Sequence, residues 1–216
     1  MTSQPGRKSV ACGIDEAGRG PVLGPMVISL VCADADVLRE LRVRDSKTLS
    51  RSRRETLYTR ILSVANRVEH TIISVEEIND LMNEKTLNEI ELQFAVKLAG
   101  LADGEIVVDC FDVNENRASE RMSRESGKTV RCIHKADRDY PAVSAASIVS
   151  KVIRDREIDR IKEKYGEIGS GYPADPVTRD FIERAMTQGL DISQIIRTHW
   201  DTVRQIREKV RTSKLY

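Results

Sequence analysis

The stretch Val10-Ala11-Cys12-Gly13-Ile14-Asp15-Glu16-Ala17-Gly18-Arg19-Gly20-Pro21 decides the fold. Its first residues, Val10 to Ile14, are apolar without a break, as a strand buried on both faces requires. The strand delivers two acids, Asp15 and Glu16, at its end. Gly18-Arg19-Gly20-Pro21 is then a turn by composition. Val22 to Ala33 resumes the apolar run and predicts a second strand, returning beside the first as a hairpin.

Outward from this core, Leu38 to Leu62 predicts helix in parts, with a loop around Asp45-Ser46-Lys47, and Val68 to Ile73 predicts a strand. Ser74 with Glu77, and Thr86 with Glu89, have the spacing of capping boxes at helix starts. Leu87, Ile90, Phe94, Leu98 and Leu101 then recur at steps of three and four, one stripe on one helical face. Ile106-Val107-Val108 is a short buried strand leading to Asp109, and Val130 to Ile133 is another. Pro141 to Tyr165 predicts a long helix whose Ala145-Ala146-Ser147 section allows close packing. Asp175 as cap and Pro176 at the first position open a helix that Gly189 closes. A last helix is expected from about Ile192 to Lys209, broken near Thr198. This order predicts an α/β fold with a mixed β-sheet flanked by helices and a helical C-terminal region. The expected division is 1–165 as catalytic domain and 166–216 as a substrate-binding region packed on it.

The chain has 216 residues, 40% hydrophobic and 32% charged, with a formal net charge of +1. Bulk charge therefore does not announce a polyanion partner. Two basic stretches do stand out, Arg39 to Arg60 and Arg197 to Tyr216, each suited to a phosphate backbone or to an exposed helix face. The four cysteines, Cys12, Cys32, Cys110 and Cys132, form no CxxC pair and sit among apolar neighbours. They read as reduced core thiols and not as a zinc site, which favours a cytoplasmic protein. The longest apolar stretch is interrupted by Gly24, Pro25 and Ser29, so no membrane association is expected.

Four acids lie where strands end or helices begin: Asp15, Glu16, Asp109 and Asp137. A lone acid at such a place is usually a turn or cap residue, and Asp112 competes with Asp109 on spacing. Together, with no paired histidines and no nucleophilic cysteine, they suit hard divalent cations, which prefer oxygen ligands. Two such ions can clamp an in-line displacement at phosphorus.

These segments resemble ribonuclease HII, a type 2 ribonuclease H, across nearly the whole chain. The resemblance is carried by Gly13 to Pro21, Asp45-Ser46-Lys47, Val108-Asp109, and His134-Lys135-Ala136-Asp137 with Ala145 to Lys151. Gly169-Ser170-Gly171-Tyr172-Pro173 with Asp175-Pro176, and Arg197-Thr198-His199-Trp200, complete it. Its style is closest to the archaeal and eukaryotic branch. It implies a ribonuclease H-like fold, with Asp15, Glu16, Asp109 and Asp137 as metal ligands and catalytic residues, and it favours Asp109 over Asp112. It implies Mg2+ or Mn2+ as cofactor, two ions with substrate. Expected substrates are RNA–DNA hybrids and single ribonucleotides in duplex DNA, cut on the 5′ side of the ribonucleotide to leave a 3′-hydroxyl and a 5′-phosphate.

Telling RNA from DNA requires sensing the 2′-hydroxyl. Gly18, Arg19 and Gly20 suit close backbone approach to a ribose, and Tyr172 resembles the family tyrosine that packs on it. Lys47, Lys151 and Arg197 are expected phosphate contacts, with Ser46, Ser147 and Thr198 as further hydroxyl donors. His134 reads as structural and Trp200 as a packing anchor. With 14 residues ahead of Asp15, the extra N-terminal domain of the ribonuclease HIII family is not expected. A monomer is expected, a protein partner being possible. The rivals are another metal-dependent nuclease of the same superfold, which would cut DNA lacking ribose, and a binding module or subunit active only with partners.

Overall fold

The computed structural model describes residues 10–41, 43 and 49–213. Ser46 and Lys47, with the rest of the Asp45-Ser46-Lys47 motif, lie outside the described residues. Five strands form one sheet: β1 (Val10–Ala17), β2 (Met26–Asp34), β3 (Arg67–Ile73), β4 (Glu105–Asp109) and β5 (Val130–Ile133). Their order is β3-β2-β1-β4-β5, so the decisive first strand is central. It pairs parallel with β4, Cys12 opposite Ile106 and Ile14 opposite Val108, and β4 pairs parallel with β5. Parallel neighbours need a crossover of about a dozen residues or more. The connection 18–25 between β1 and β2 is too short for one, which leaves an antiparallel return and a mixed sheet.

Eight helices accompany the sheet among the described residues: α1 (Ala35–Glu40), α2 (Arg51–Val64), α3 (Val75–Leu81), α4 (Leu87–Gly100), α5 (Glu115–Ser126), α6 (Pro141–Tyr165), α7 (Pro176–Gln188) and α8 (Asp201–Ser213). The Thr86/Glu89 capping box forms as expected, the Thr86 N–H donating to Glu89 Oε2 at 2.8 Å. Ser74 caps α3 by accepting from the Glu77 N–H at 3.1 Å.

Two elements depart from expectation. Helix α5 carries the crossover between β4 and β5, where no helix is legible in the sequence. It buries only Ala118 and Met122, too narrow an apolar stripe to register against a polar background. The expected helix from about Ile192 begins instead at Asp201. The preceding residues are committed to other partners: the Arg197 N–H donates to the Val22 carbonyl at 2.9 Å. The Thr198 N–H donates to Asn79 Oδ1, also at 2.9 Å.

The cysteine reading is corrected as well. Cys12 and Cys32 form a disulfide, with Cα atoms 4.1 Å apart, while Cys110 and Cys132 are free thiols. Twenty residues separate the pair in sequence, and only the adjacency of β1 and β2 brings them together.

The chain divides into two compact units. The first takes residues up to Glu16 with Ile28–Thr71 and Glu91–Val152; the second takes Ala17–Val27, Ile72–Ile90 and Ile153–Tyr216. Within the first, Gly13 meets the start of α6 so closely that a Cβ there would lie 2.5 Å from the Ala142 carbonyl oxygen. Within the second, Val22, Leu23, Ile168, Phe181, Ile182 and Val203 anchor a separate hydrophobic core.

Candidate metal centre

Three of the expected acids converge in the first unit. Asp15, Asp109 and Asp137 each offer a carboxylate oxygen, and these oxygens lie within 4.8 Å of one another. β1 delivers Asp15 and β4, its parallel neighbour, ends at Asp109. Asp137 comes from a single 3-10 turn, Ala136–Arg138, ahead of α6. That turn is entered through Lys135, which adopts a left-handed backbone (φ 58), a conformation non-glycine residues seldom take. The result is that the Ala136 N–H donates to Asp109 Oδ1 at 3.0 Å. The turn thus holds one carboxylate while presenting the next.

Asp15 and Asp137 are 5% and 4% exposed. Burial pushes the Asp15 carboxyl well above the usual carboxylate range. The neighbouring Glu16 and Asp109 charges push it further, while hydrogen bonds from the Ser147 hydroxyl and the Glu16 N–H oppose the rise. The latter bond is 2.7 Å. Crowded carboxylates raise one another's proton affinity, and a cation removes the conflict. An all-oxygen, half-dry donor set of this kind fits a hard divalent ion.

Glu16 lies close enough to act on Asp15 electrostatically but is not among the three converging acids. Asp112, the rival on spacing, instead accepts from Arg117 Nη2 at 2.6 Å and from the Asn114 N–H at 3.0 Å, ordering the start of α5. His134 donates its N–H to Glu115 Oε1 at 2.6 Å, a structural role. Two serines of α6 serve Asp15: Ser147, a candidate phosphate donor by sequence, and Ser150, which sequence reasoning missed. The Ser147 hydroxyl bonds the Asp15 carboxylate, and Ser150 Oγ donates to the Asp15 carbonyl at 2.9 Å. Their signal in the sequence was the small-residue run itself, which reads only as close packing. Lys151, beside them on α6, is half-buried.

In the second unit, Gly18, Arg19, Gly20 and Tyr172 come together. A Cβ on Gly20 would sit 3.6 Å from Tyr172 Cε1, so the ring lies over a bare backbone. Tyr172 is 43% exposed. Gly18 has φ +90, a region that favours glycine. Arg19 Nη2 donates to Asn88 Oδ1 at 2.5 Å. The Trp200 indole N–H donates to the Gly20 carbonyl at 3.2 Å.

Arg197 is not the surface phosphate contact expected from the sequence. It is 0% exposed, and its guanidinium donates to the carbonyls of Gly18 (2.7 Å), Gly24 (2.9 Å) and Arg19 (3.1 Å). Burial, then the neighbouring Arg154 charge, push it down to about 9, so it is still cationic at neutral pH. A buried charge needs partners, and here the partners are backbone carbonyls of the connection between β1 and β2. Thr198 is half-buried; its N–H and the Ile196 carbonyl are both held by the Asn79 amide, the latter at 2.9 Å.

Comparison with known proteins identifies the family. The family model described as Ribonuclease HII matches residues 12–203. Ribonuclease HII of Thermoplasma volcanium is 54% identical over 207 residues, covering 96% of this chain and 97% of that protein. The Pyrococcus furiosus enzyme is 41% identical over 210 residues, 94% and 93% of the two chains. Among solved structures, ribonuclease H2 from Pyrococcus horikoshii OT3 superposes with a TM-score of 0.87 at 38% identity. It covers 94% of this chain and 99% of its own. Ribonuclease HII from Archaeoglobus fulgidus, solved in complex with PCNA, gives 0.85 at 41% identity, covering 91% and 96%. With its sheet order, its converging acids and these relatives in agreement, the chain belongs to the ribonuclease HII family and is a metal-dependent endoribonuclease.

Proposed function

We propose that the enzyme hydrolyses the RNA strand of RNA–DNA hybrids, and single ribonucleotides embedded in duplex DNA, on the 5′ side of the ribonucleotide. The products carry a 3′-hydroxyl and a 5′-phosphate. The observation that carries this reading is the convergence of the Asp15, Asp109 and Asp137 carboxylates within 4.8 Å. Those three, with Glu16, would hold the divalent cations. Mg2+ or Mn2+, two with substrate present, would supply charge to activate a water and to offset the negative charge gathering on the phosphate and the leaving oxygen.

The protein's own groups do the rest. Ser147 and the Glu16 N–H orient Asp15, and the Ala136 N–H orients Asp109. The Gly18, Arg19 and Gly20 backbone offers polar groups to a 2′-hydroxyl, and the exposed Tyr172 ring offers a surface on which a ribose packs. Lys151 and Thr198, with Ser46 and Lys47, are assigned to phosphates, and the region 166–216 to holding duplex. The expected setting is cytoplasmic, as a monomer, with roles in ribonucleotide and RNA-primer removal. No helix among the described residues is long and apolar enough to cross a membrane. The relative solved with PCNA makes a replication clamp a candidate partner.

The test is cleavage of a labelled DNA duplex carrying one ribonucleotide, with Mg2+ or Mn2+. A cut on the 5′ side of that ribose, lost in Asp15→Asn and absent from all-DNA duplex, is the expected result. Cleavage of all-DNA duplex at a similar rate would overturn the assignment.

A further inference from the structure

Arg154, on α6 beside Arg197, is 2% exposed. Among the described residues, neither its Nε nor its Nη2 has a hydrogen-bond partner. Leaving buried donors unpaired costs stability, and an apolar side chain of similar volume would avoid that cost. An arginine kept under those terms calls for a reason outside folding.

Its surroundings supply one. A Cβ on Gly18 would lie 2.5 Å from Arg154 Cδ and closer still to Nε; a Cβ on Gly171 would lie 3.8 Å from Nη2. Both glycines have positive φ, +90 and +80. The two unpaired nitrogens therefore sit one at each recognition loop, Nε against Gly18 and Nη2 against Gly171, the residue before Tyr172. The guanidinium also faces the Tyr172 ring, 5.8 Å from its centroid, within cation–π range. Gly171 is tied back in turn, its carbonyl accepting from the Val22 N–H at 2.8 Å. Arg197 fixes the other side of the glycine loop through the Gly18 carbonyl.

We infer that Arg154 is a positioning residue that links the Gly18–Gly20 loop to the Tyr172 loop and thereby sets the preference for a ribonucleotide over a deoxyribonucleotide. This rests on the proposed reading of those two loops as the ribose sensor. Arg154 acts through these two loops and, in this reading, not on the phosphates, so it governs discrimination without governing general duplex affinity.

The experiment compares binding of two DNA duplexes, one with a single ribonucleotide and one without, with Ca2+ replacing the catalytic ion. In Arg154→Met, affinity for the ribonucleotide duplex should fall about tenfold, equivalent to roughly 1.4 kcal/mol. All-DNA affinity should stay within about twofold, equivalent to roughly 0.4 kcal/mol. Combining Arg154→Met with Tyr172→Ala should reduce discrimination no further than Tyr172→Ala alone, because coupled residues are not additive. Equal losses on both duplexes, no loss on either, or full additivity would overturn the inference. Should Arg154→Met not fold, Arg154→Lys keeps the charge but lacks the fork and carries the same expectation. Failure of both to fold makes Arg154 a structural residue and ends the inference. A wild type that does not distinguish the duplexes would instead overturn the ribose-sensor reading itself, and this inference with it.

Discussion

Arg197 Nη2 donates to the Gly18 carbonyl at 2.7 Å, across 179 positions of sequence. The C-terminal motif and the opening motif are therefore one structure: a buried cation that gathers three carbonyls and fixes the glycine loop from behind. Arg197→Met should leave those carbonyls without their donor. At about 1–3 kcal/mol for a buried group left unsatisfied, a loss of several degrees in Tm is expected for a chain of this size. Trp200, the single tryptophan, bonds the same loop at Gly20, so its fluorescence should shift as the loop loosens. An unchanged Tm and spectrum would refute the pinning role.

Asp15→Asn should abolish activity yet stabilise the metal-free protein. Losing a carboxylate proposed to hold the metal should lower the rate at least about a hundredfold, an effect of roughly 3 kcal/mol. Asp15's proton affinity is raised by burial and by Glu16 and Asp109. A raised folded value means the carboxylate stabilises the fold only while protonated, and that contribution is lost as pH rises through the folded value. Once pH has risen through that value the wild type bears the repulsion, which the amide removes. Thermal melts in chelator over a rising pH series should therefore place the variant increasingly above wild type; a gap that closes as pH rises would contradict the crowding described for the acids.

Adding Mg2+ or Mn2+ to the chelated wild type should raise Tm in a concentration-dependent way, because an ion that binds only the folded state stabilises by mass action. The rise should shrink in Asp15→Asn. It should also weaken as pH falls and the carboxylates protonate. An equal rise in both proteins would place the ions elsewhere.

Asp175 caps α7, accepting from the Val177 N–H at 3.0 Å, and is held at about 2 by the Ser170 backbone and hydroxyl bonds. A depressed value means the contribution is complete above the unfolded value of about 3.9 and is lost as pH falls toward 2. Asp175→Asn should flatten the stability profile between those limits. If the two profiles stay parallel there, the capping account fails.

The Cys12–Cys32 bridge predicts that unfolded, unreduced protein exposes two reactive thiols, from Cys110 and Cys132, and four after reduction. Reduction should lower stability by about 2–4 kcal/mol, as for a loop of this size. Four thiols without reductant would overturn the bridge.

The strand that opens the chain, its two acids and the capping boxes were legible because local chemistry specifies them: an apolar run, a turn, an oxygen three residues before a glutamate. Helix α5 was not, because its position is dictated by the parallel pairing of β4 with β5 and its own stripe is only Ala118 and Met122. Arg197 was misread for a related reason. A basic residue in a basic stretch looks solvated until the carbonyls that receive it are known, and those carbonyls belong to Gly18, Arg19 and Gly24. The disulfide was hidden because adjacency of two strands leaves no mark on cysteine spacing. Asp109 and Asp112 could be told apart only by resemblance; in three dimensions one joins the converging acids and the other orders a helix start.

At Gly13 the backbone of β1 runs against Ala142 with no room for a methyl group. Two residues on along β1 stands Asp15, and five residues before Ala142 stands Asp137. The gap between strand and helix thus acts as a caliper for the acids, and its setting depends on a single missing carbon. A saturation library screened for activity would accordingly find Gly13, which has no side chain and no chemistry, as intolerant as the aspartates it spaces.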